Sequence, residues 1–268
     1  MNQRATIDDV AKLAGVSIAT VSRVISKSDR VRASTRAQVL QAIEDLHYQP
    51  DASARALASG RTYTVGCVIP TLDHSIFARA TQAMQTVLSD AGFQLLVGSS
   101  NYESNTELQV VRAFQQRGVD ALVLVGTDHA ASMWDAVTQW GKPVLLSWSC
   151  DPRLPSVGFD NVTIAKHMTE HLLSLGHERI AVVSGFTANN DRARSRIQGV
   201  RQALSAHGLR LPKELLIEQS YNLHGGRLAL QQLMQLDQPP TAIFCAMDLL
   251  AAGVLLEAQR LQIDVPRT

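Results

Sequence analysis

The stretch from Thr6 to Ser26, TIDDVAKLAGVSIATVSRVIS, admits few folds. Apolar residues at Ile7, Val10, Ala11 and Ala14 recur at helical spacing, Thr6 is a good N-cap, and Gly15 sits where a helix stops. Ser17 caps a second helix, whose Val21, Val24 and Ile25 form the stripe that packs on the first. Two short amphipathic helices joined by a tight turn containing Gly predict a helix-turn-helix, with a third helix over 34–46.

The outward face of the second helix carries the chemistry. Ile18 and Ser22 lie one turn apart, as do Ala19 and Arg23, so these four share a face that the core does not need. An exposed Ile beside an Ala suits thymine methyl groups, and Arg23 can donate a fork to guanine O6 and N7. Ser17, Thr20 and Ser22 offer hydroxyls to phosphate oxygens, helped by the helix N-terminus. The plain alternative is an ordinary helical hairpin with one surface Ile.

After the third helix comes HYQPDASARALASGRT, in which Asp51 is expected to cap a short Ala-rich helix that Gly60 ends. Residues 6 to 61 resemble the headpiece and hinge of the LacI/GalR family of bacterial transcription repressors. They follow its T-I-x-D-V-A-x-x-A-G-V-S-x-x-T-V-S-R pattern and, at Tyr48, Pro50, Ala54, Arg55 and Leu57, its hinge pattern Y-x-P-x-x-x-A-R-x-L. The resemblance implies a homodimer on a pseudo-palindromic site in double-stranded DNA. The residues expected at the duplex are Thr6, Ser17, Ile18, Ala19, Thr20, Ser22, Arg23, Ser34, Ser53 and Leu57. Leu57, apolar among Ala, Ser and Arg, is expected to wedge between base pairs once the hinge helix folds on DNA.

The charge is uneven in the same sense. Formal net charge is +1, yet residues 1 to 61 hold nine Lys/Arg against six Asp/Glu, leaving the remainder slightly acidic. Cys67, Cys150 and Cys245 are far apart and set in apolar surroundings, and read as reduced core thiols of a cytoplasmic protein. The N-terminus has no apolar export core and no apolar run approaches the ~20 residues needed to span a bilayer, so neither export nor a membrane is expected.

From Tyr63 onward the pattern changes to alternating strands and helices. Strands are predicted over 64–69, 94–98, 121–125, 144–147, 179–183, 215–218 and 242–245, each rich in Val, Leu or Ile and bounded by Gly, Pro, Ser or Asp. Helices are predicted over 76–91, 105–117, 133–139, 162–175, 192–207, 225–236 and 249–259. This alternation argues for doubly wound parallel sheets with ligands at the carboxyl ends of the strands. SWSCDPRLPSVGFDN, with no helix, reads as an irregular crossing between two sheets. The expected organisation is a helix-turn-helix headpiece over 1–47, a hinge over 48–61, and an α/β domain over 62–268 with lobes over 62–160 and 161–268. The family resemblance implies that this domain is like a periplasmic binding protein, its lobes closing over a small effector.

One motif suggests an enzyme. His167-Met168-Thr169-Glu170-His171 fits the inverted zinc-protease pattern H-x-x-E-H. The reading preferred is structural, with Ile164, Met168, Leu172 and Leu175 as the buried stripe and His171 at its edge. No nucleophile elbow, P-loop or dinucleotide fingerprint is present, so no catalysis, metal or cofactor is expected.

For the effector, the resemblance points to Arg196 with Gly199, the family's R-x-x-G, where an Arg commonly contacts the ligand. A guanidinium fork suits sugar hydroxyls or a carboxylate. Phe77, Trp148 and Tyr221 fall at or near positions where relatives place walls, and each could equally be core. The family's N-D-x-x-A-x-G appears as Met247-Asp248-Leu249-Leu250-Ala251-Ala252-Gly253, so Asp248 can accept from ligand hydroxyls while the amide donor is gone. The family continues beyond a segment like Val265-Pro266 into further strands and helices, so the effector domain is expected to be incomplete at its C-terminus. The function implied is a repressor of a sugar or sugar-acid utilisation operon. The alternative is a cytoplasmic sugar-binding or sugar-processing protein with a fused headpiece.

Overall fold

The computed structural model describes residues 5–26, 30–51, 56, 57 and 59–267. Ser53, with Ala54 and Arg55 of the hinge pattern, lies outside the described residues. The chain divides after Thr62 into two compact units.

The first unit holds α1 (Ile7–Leu13), α2 (Ile18–Ile25) and α3 (Ala33–Asp45). Thr6 and Asp9 form a reciprocal cap: Asp9 N donates to Thr6 Oγ1 at 3.3 Å, and Thr6 N donates to an Asp9 carboxylate oxygen at 2.9 Å. Gly15, at φ 64°, supplies the left-handed residue of the turn. Ser17 Oγ then accepts from Thr20 N at 3.2 Å and starts α2. Val10, Ala11, Val21, Val24, Val39 and Ala42 form the buried centre, with Ile7, Val16, Ile25 and Tyr48 around it. The inward stripes are those the spacing predicts.

The second unit holds two parallel sheets. In the first, β1 (Thr64–Ile69), β2 (Gln94–Ser99), β3 (Ala121–Val125), β4 (Val144–Trp148) and β5 (Ser156–Gly158) lie in the order β2-β1-β3-β4-β5. Helices α4 (Ser75–Asp90), α5 (Ser104–Gln116) and α6 (Ala131–Trp140) connect them. One face of this sheet packs around Phe114, Leu122, Leu124 and Leu146, the other around Cys67, Ile69 and Phe77. The second lobe runs α7 (Asn161–Ser174), β6 (Ile180–Ser184), α8 (Asp191–Ala206), β7 (Leu216–Glu218), α9 (Leu223–Met234), β8 (Ala242–Cys245) and α10 (Asp248–Arg260), with strand order β7-β6-β8. Nearly continuous apolar strands with both faces covered are what parallel crossover topology demands.

Three expectations need correction. The segment between the sheets is not wholly irregular, because β5 pairs in parallel with β4, Ser147 opposite Val157. Three residues on a sheet edge carry too little pattern to be read from sequence. The buried side of α7 is Ala165 and Thr169, while Ile164, Met168 and Leu175 are exposed. Gly199 explains the difference: a Cβ there would fall 2.2 Å from Val162 O, so α8 lies against the α7 backbone and admits only small side chains between them. Cys150 is exposed and no core thiol, whereas burial pushes the Cys67 and Cys245 thiols up to about 12.

Helices α9 and α10 meet in the same way. A Cβ on Gly253 would fall 2.2 Å from Leu223 O. Further along, the fully buried Glu257 of α10 accepts from Arg227 Nε of α9 at 2.9 Å, Gln231 Nε2 at 2.6 Å and Arg260 Nε at 2.9 Å. Those donors, Arg260 first, hold its carboxyl at about 2.

Candidate nucleic-acid interface and ligand cleft

On α2 the inner face completes a core and the outer face is free. Ile18 is 46% exposed, and Ala19, Ser22 and Arg23 beside it are exposed. Two hydroxyls expected at DNA already have local roles, Thr6 in the cap of α1 and Ser17 in that of α2, and the Ser17 and Thr20 hydroxyls lie 3.0 Å apart. A serine cap leaves lone pairs and the helix N-terminus available to a phosphate. Ser34 is exposed in the first turn of α3, and Leu57 is 89% exposed.

In the second unit a cleft forms where the carboxyl ends of both sheets face each other, as open parallel sheets require. Its volume is about 370 Å³, and Thr71, His74, Asn101, Tyr102, Asn190 and Tyr221 are among its walls. A row of rings ends at two of its walls, His74 and Tyr221. Trp148 meets Phe77 with centroids 5.2 Å apart, Phe77 stacks on His74 at 6.0 Å, and His74 meets Tyr221 of the second lobe edge-on at 5.3 Å. Three of the expected walls are thus brought together, through a histidine that sequence reading missed. Phe77 is buried behind His74, so it backs the wall rather than forming its surface.

Arg196 is half-buried on α8 and donates to Ala246 O at 3.2 Å, on the loop that leads into Asp248. Asp248 is exposed at the start of α10, where one carboxylate oxygen accepts from Leu249 N at 2.9 Å. Arg192, one turn before Arg196, is only 6% exposed, and its Nη1 donates to Asp191 Oδ1 at 2.7 Å.

Asp191 ties the two lobes. Its Oδ2 accepts from Ser149 Oγ at 2.6 Å, Thr127 Oγ1 at 3.1 Å and Thr127 N at 3.2 Å, all from the first lobe. Burial raises its carboxyl, but Arg192 and the two hydroxyls outweigh that, and the net displacement is downward. Nearby, Arg194 Nη2 donates to Asp128 Oδ2 at 2.6 Å and Asn189 Nδ2 donates to Tyr102 O at 2.9 Å.

The cleft loops also hold unusual backbone. Asn101, Tyr102, Trp148 and Asn189 have φ of 51°, 61°, 65° and 51°. Bulky residues such as Tyr and Trp adopt this region only when their surroundings fix them, which is typical of functional loops. The missed residues Asp191, Arg192 and Asn189 lie in the polar run NNDR, which ends three residues short of R-x-x-G, at a helix start facing the other lobe. Among the described residues no helix is long and apolar enough to cross a membrane, and no cluster of His, Cys, Asp and Glu is poised to hold a metal.

Residues 62–265 match the family model for periplasmic binding proteins and the sugar binding domain of the LacI family, and residues 6–51 match that for bacterial regulatory proteins of the lacI family. Catabolite control protein A of Priestia megaterium is 32% identical over 263 residues, covering 97% of this chain and 79% of its own length. The crystal structure of a LacI-family transcriptional regulator from Silicibacter pomeroyi superimposes with a TM-score of 0.86 at 28% identity, covering 98% of this chain and 79% of that one. The Lac repressor dimer bound to operator and the anti-inducer ONPF shares the fold, with a TM-score of 0.85 at 24% identity, over 98% of this chain and 80% of its own.

Proposed function

This chain belongs to the LacI family of bacterial regulatory proteins and is a DNA-binding transcription regulator rather than an enzyme, and we propose that it represses a sugar or sugar-acid operon from the cytoplasm. Residues 1–47 read the operator, 48–61 form the hinge, and 62–268 bind the effector between lobes over 62–160 and 161–268. The chain acts as a homodimer on a pseudo-palindrome, so each headpiece meets one half-site.

The observation that carries this reading is the division of α2 into a core-forming face and an exposed face of Ile18, Ala19, Ser22 and Arg23. Arg23 and Ile18 read base edges. Ser17, Thr20, Ser22, Thr6, Ser34 and Ser53 hold phosphates, and Leu57 enters the minor groove. In the cleft, Arg196 and Tyr221 contact the effector, Phe77 and Trp148 support its wall, and Asp248 receives a hydroxyl. An effector that changes how the lobes close changes the hinge, and by linkage DNA changes effector affinity equally. Selection of bound duplexes from a random library, footprinting of the selected site, and repetition with a sugar panel test the reading. A palindrome protected and then released by one panel member is the expected result. No preference among duplexes overturns it.

A further inference from the structure

The turn between β3 and α6, residues 126–130, carries the first lobe's half of a tie between the lobes. Thr127 donates to Asp191 through its amide and its hydroxyl, and Asp128 accepts from Arg194. Gly126 lies so close to the Asp191–Arg192 pair that a Cβ on it would strike both side chains. One ring holds this turn in place. The His129 side chain is 1% exposed, with Nδ1 2.9 Å from Glu107 Oε2 of α5 and Nε2 3.2 Å from Gly126 O. Trp134 of α6 closes the site, its ring edge-on to the imidazole at 5.2 Å.

Both neighbours of the ring, a carboxylate and a carbonyl, are acceptors. A neutral imidazole has a single N–H, so it satisfies one of them and turns a lone pair on the other, whereas an imidazolium donates to both. The other charges around the ring are matched locally. Arg153, whose guanidinium lies over Trp134 at 3.8 Å, donates to Asp151 at 2.8 and 2.7 Å, Asp128 is held by Arg194, and Asp191 by Arg192. Asp135 of α6 is exposed, and Glu103, which shares a small hollow with Glu107 and Asp128, adds negative charge on the same side. Glu107 is the group that answers a positive ring.

We propose that His129 is a proton-dependent latch, which as an imidazolium pins Gly126 O toward α5 and so holds Thr127 and Asp128 against the second lobe, and which releases the turn when it gives its proton to water. The neutral ring keeps its proton on Nδ1, where the bond to a carboxylate is the stronger, so the bond lost is the one to Gly126 O. The latched turn holds a proton that the released turn does not. The tie is therefore complete at low pH and weakens as pH rises. Loss at the Asp191 carboxyl, held below its ordinary value, has the opposite sign and is confined to strong acid. The latch acts on the chain alone, without effector or DNA.

The test uses the full chain without ligand. Nitrogen-15 spectra of the imidazoles and amide exchange at residues 127–129 and 189–191, divided by the intrinsic rate at each pH, are followed from about pH 5 to about pH 9. The His129 ring is expected to carry two protons at the low end and one, on Nδ1, at the high end. Exchange in both segments should rise about tenfold in step with that loss, while exchange in β1 stays constant. Glu107→Gln separates charge from packing. Its amide can donate to Nδ1 while Nε2–H still meets Gly126 O, so the ring is neutral, the turn stays latched and the pH dependence disappears. His129→Gln, whose donors sit on one nitrogen, should exchange fast at every pH, and if it fails to fold the ring spectra and Glu107→Gln still decide. A ring with one proton at about pH 5, exchange that does not follow the ring proton, or a Glu107→Gln chain as pH-dependent as the original overturns the proposal.

Discussion

The Ser149 hydroxyl donates to the Asp191 carboxylate at 2.6 Å, joining the end of β4 in one lobe to the first turn of α8 in the other. Ser149→Ala removes this charge-assisted bond at a cost of roughly 1.5–3 kcal/mol to the closed arrangement. Faster amide exchange at residues 127–129 and 189–191, with the exchange of β1 unchanged, is the expected outcome. The Asp191 carboxyl is depressed in the folded protein, so its contribution is complete above its ordinary value and is lost as pH falls through the lower folded one. Ser149→Ala should therefore matter at pH 7 and vanish in strong acid.

Arg23 is exposed on the face of α2 that the core does not use. Arg23→Ala should cost about 1–3 kcal/mol on the selected operator and far less on random duplex, as measured by titration at fixed salt. Equal losses on both would place Arg23 on phosphate alone.

Leu57 is 89% exposed, so Leu57→Ala should leave the melting temperature unchanged. It should nevertheless weaken operator binding and reduce the bend measured by energy transfer between end-labelled duplex termini. A fully bent complex with the variant would remove Leu57 from the groove.

Glu257 carries the acid sensitivity of the second lobe. Its carboxyl, at about 2 in the folded protein against 4.5 ordinarily, contributes stability above pH 4.5 that is lost between 4.5 and about 2. Glu257→Gln should lower stability at neutral pH and flatten the acid limb of the pH–stability curve, read by urea midpoints from pH 2 to 7.

Gly199→Ala should cost about 1–3 kcal/mol by pushing α7 away from α8. Gly253→Ala should do the same to α9 and α10. Both are small changes on paper, and an unchanged unfolding midpoint for either would show that the helix pairs can shift without loss.

Much of this molecule is legible in its sequence because periodicity reports burial. The alternation after Tyr63 gave every longer strand and helix, and the headpiece stripes fell where spacing put them. Gly199 and Gly253 stand in the sequence as letters of two signatures, and in the structure they are points where helix backbones touch, a reason no single-residue property conveys. Ile164, Met168 and Leu175 misled because hydrophobicity marks what could be buried, and the choice was made by a glycine on another helix. Asp191 escaped for a similar reason: its partners Thr127 and Ser149 are 64 and 42 residues away, and only the closing of two sheets brings them together.

The glycine contacts between α7 and α8 and between α9 and α10 have a mechanical side. With backbone against backbone, and Glu257 bolting the second pair, the second lobe has little compliance of its own. A displacement applied at Asp191 is then expected to move this lobe as a body rather than to deform it.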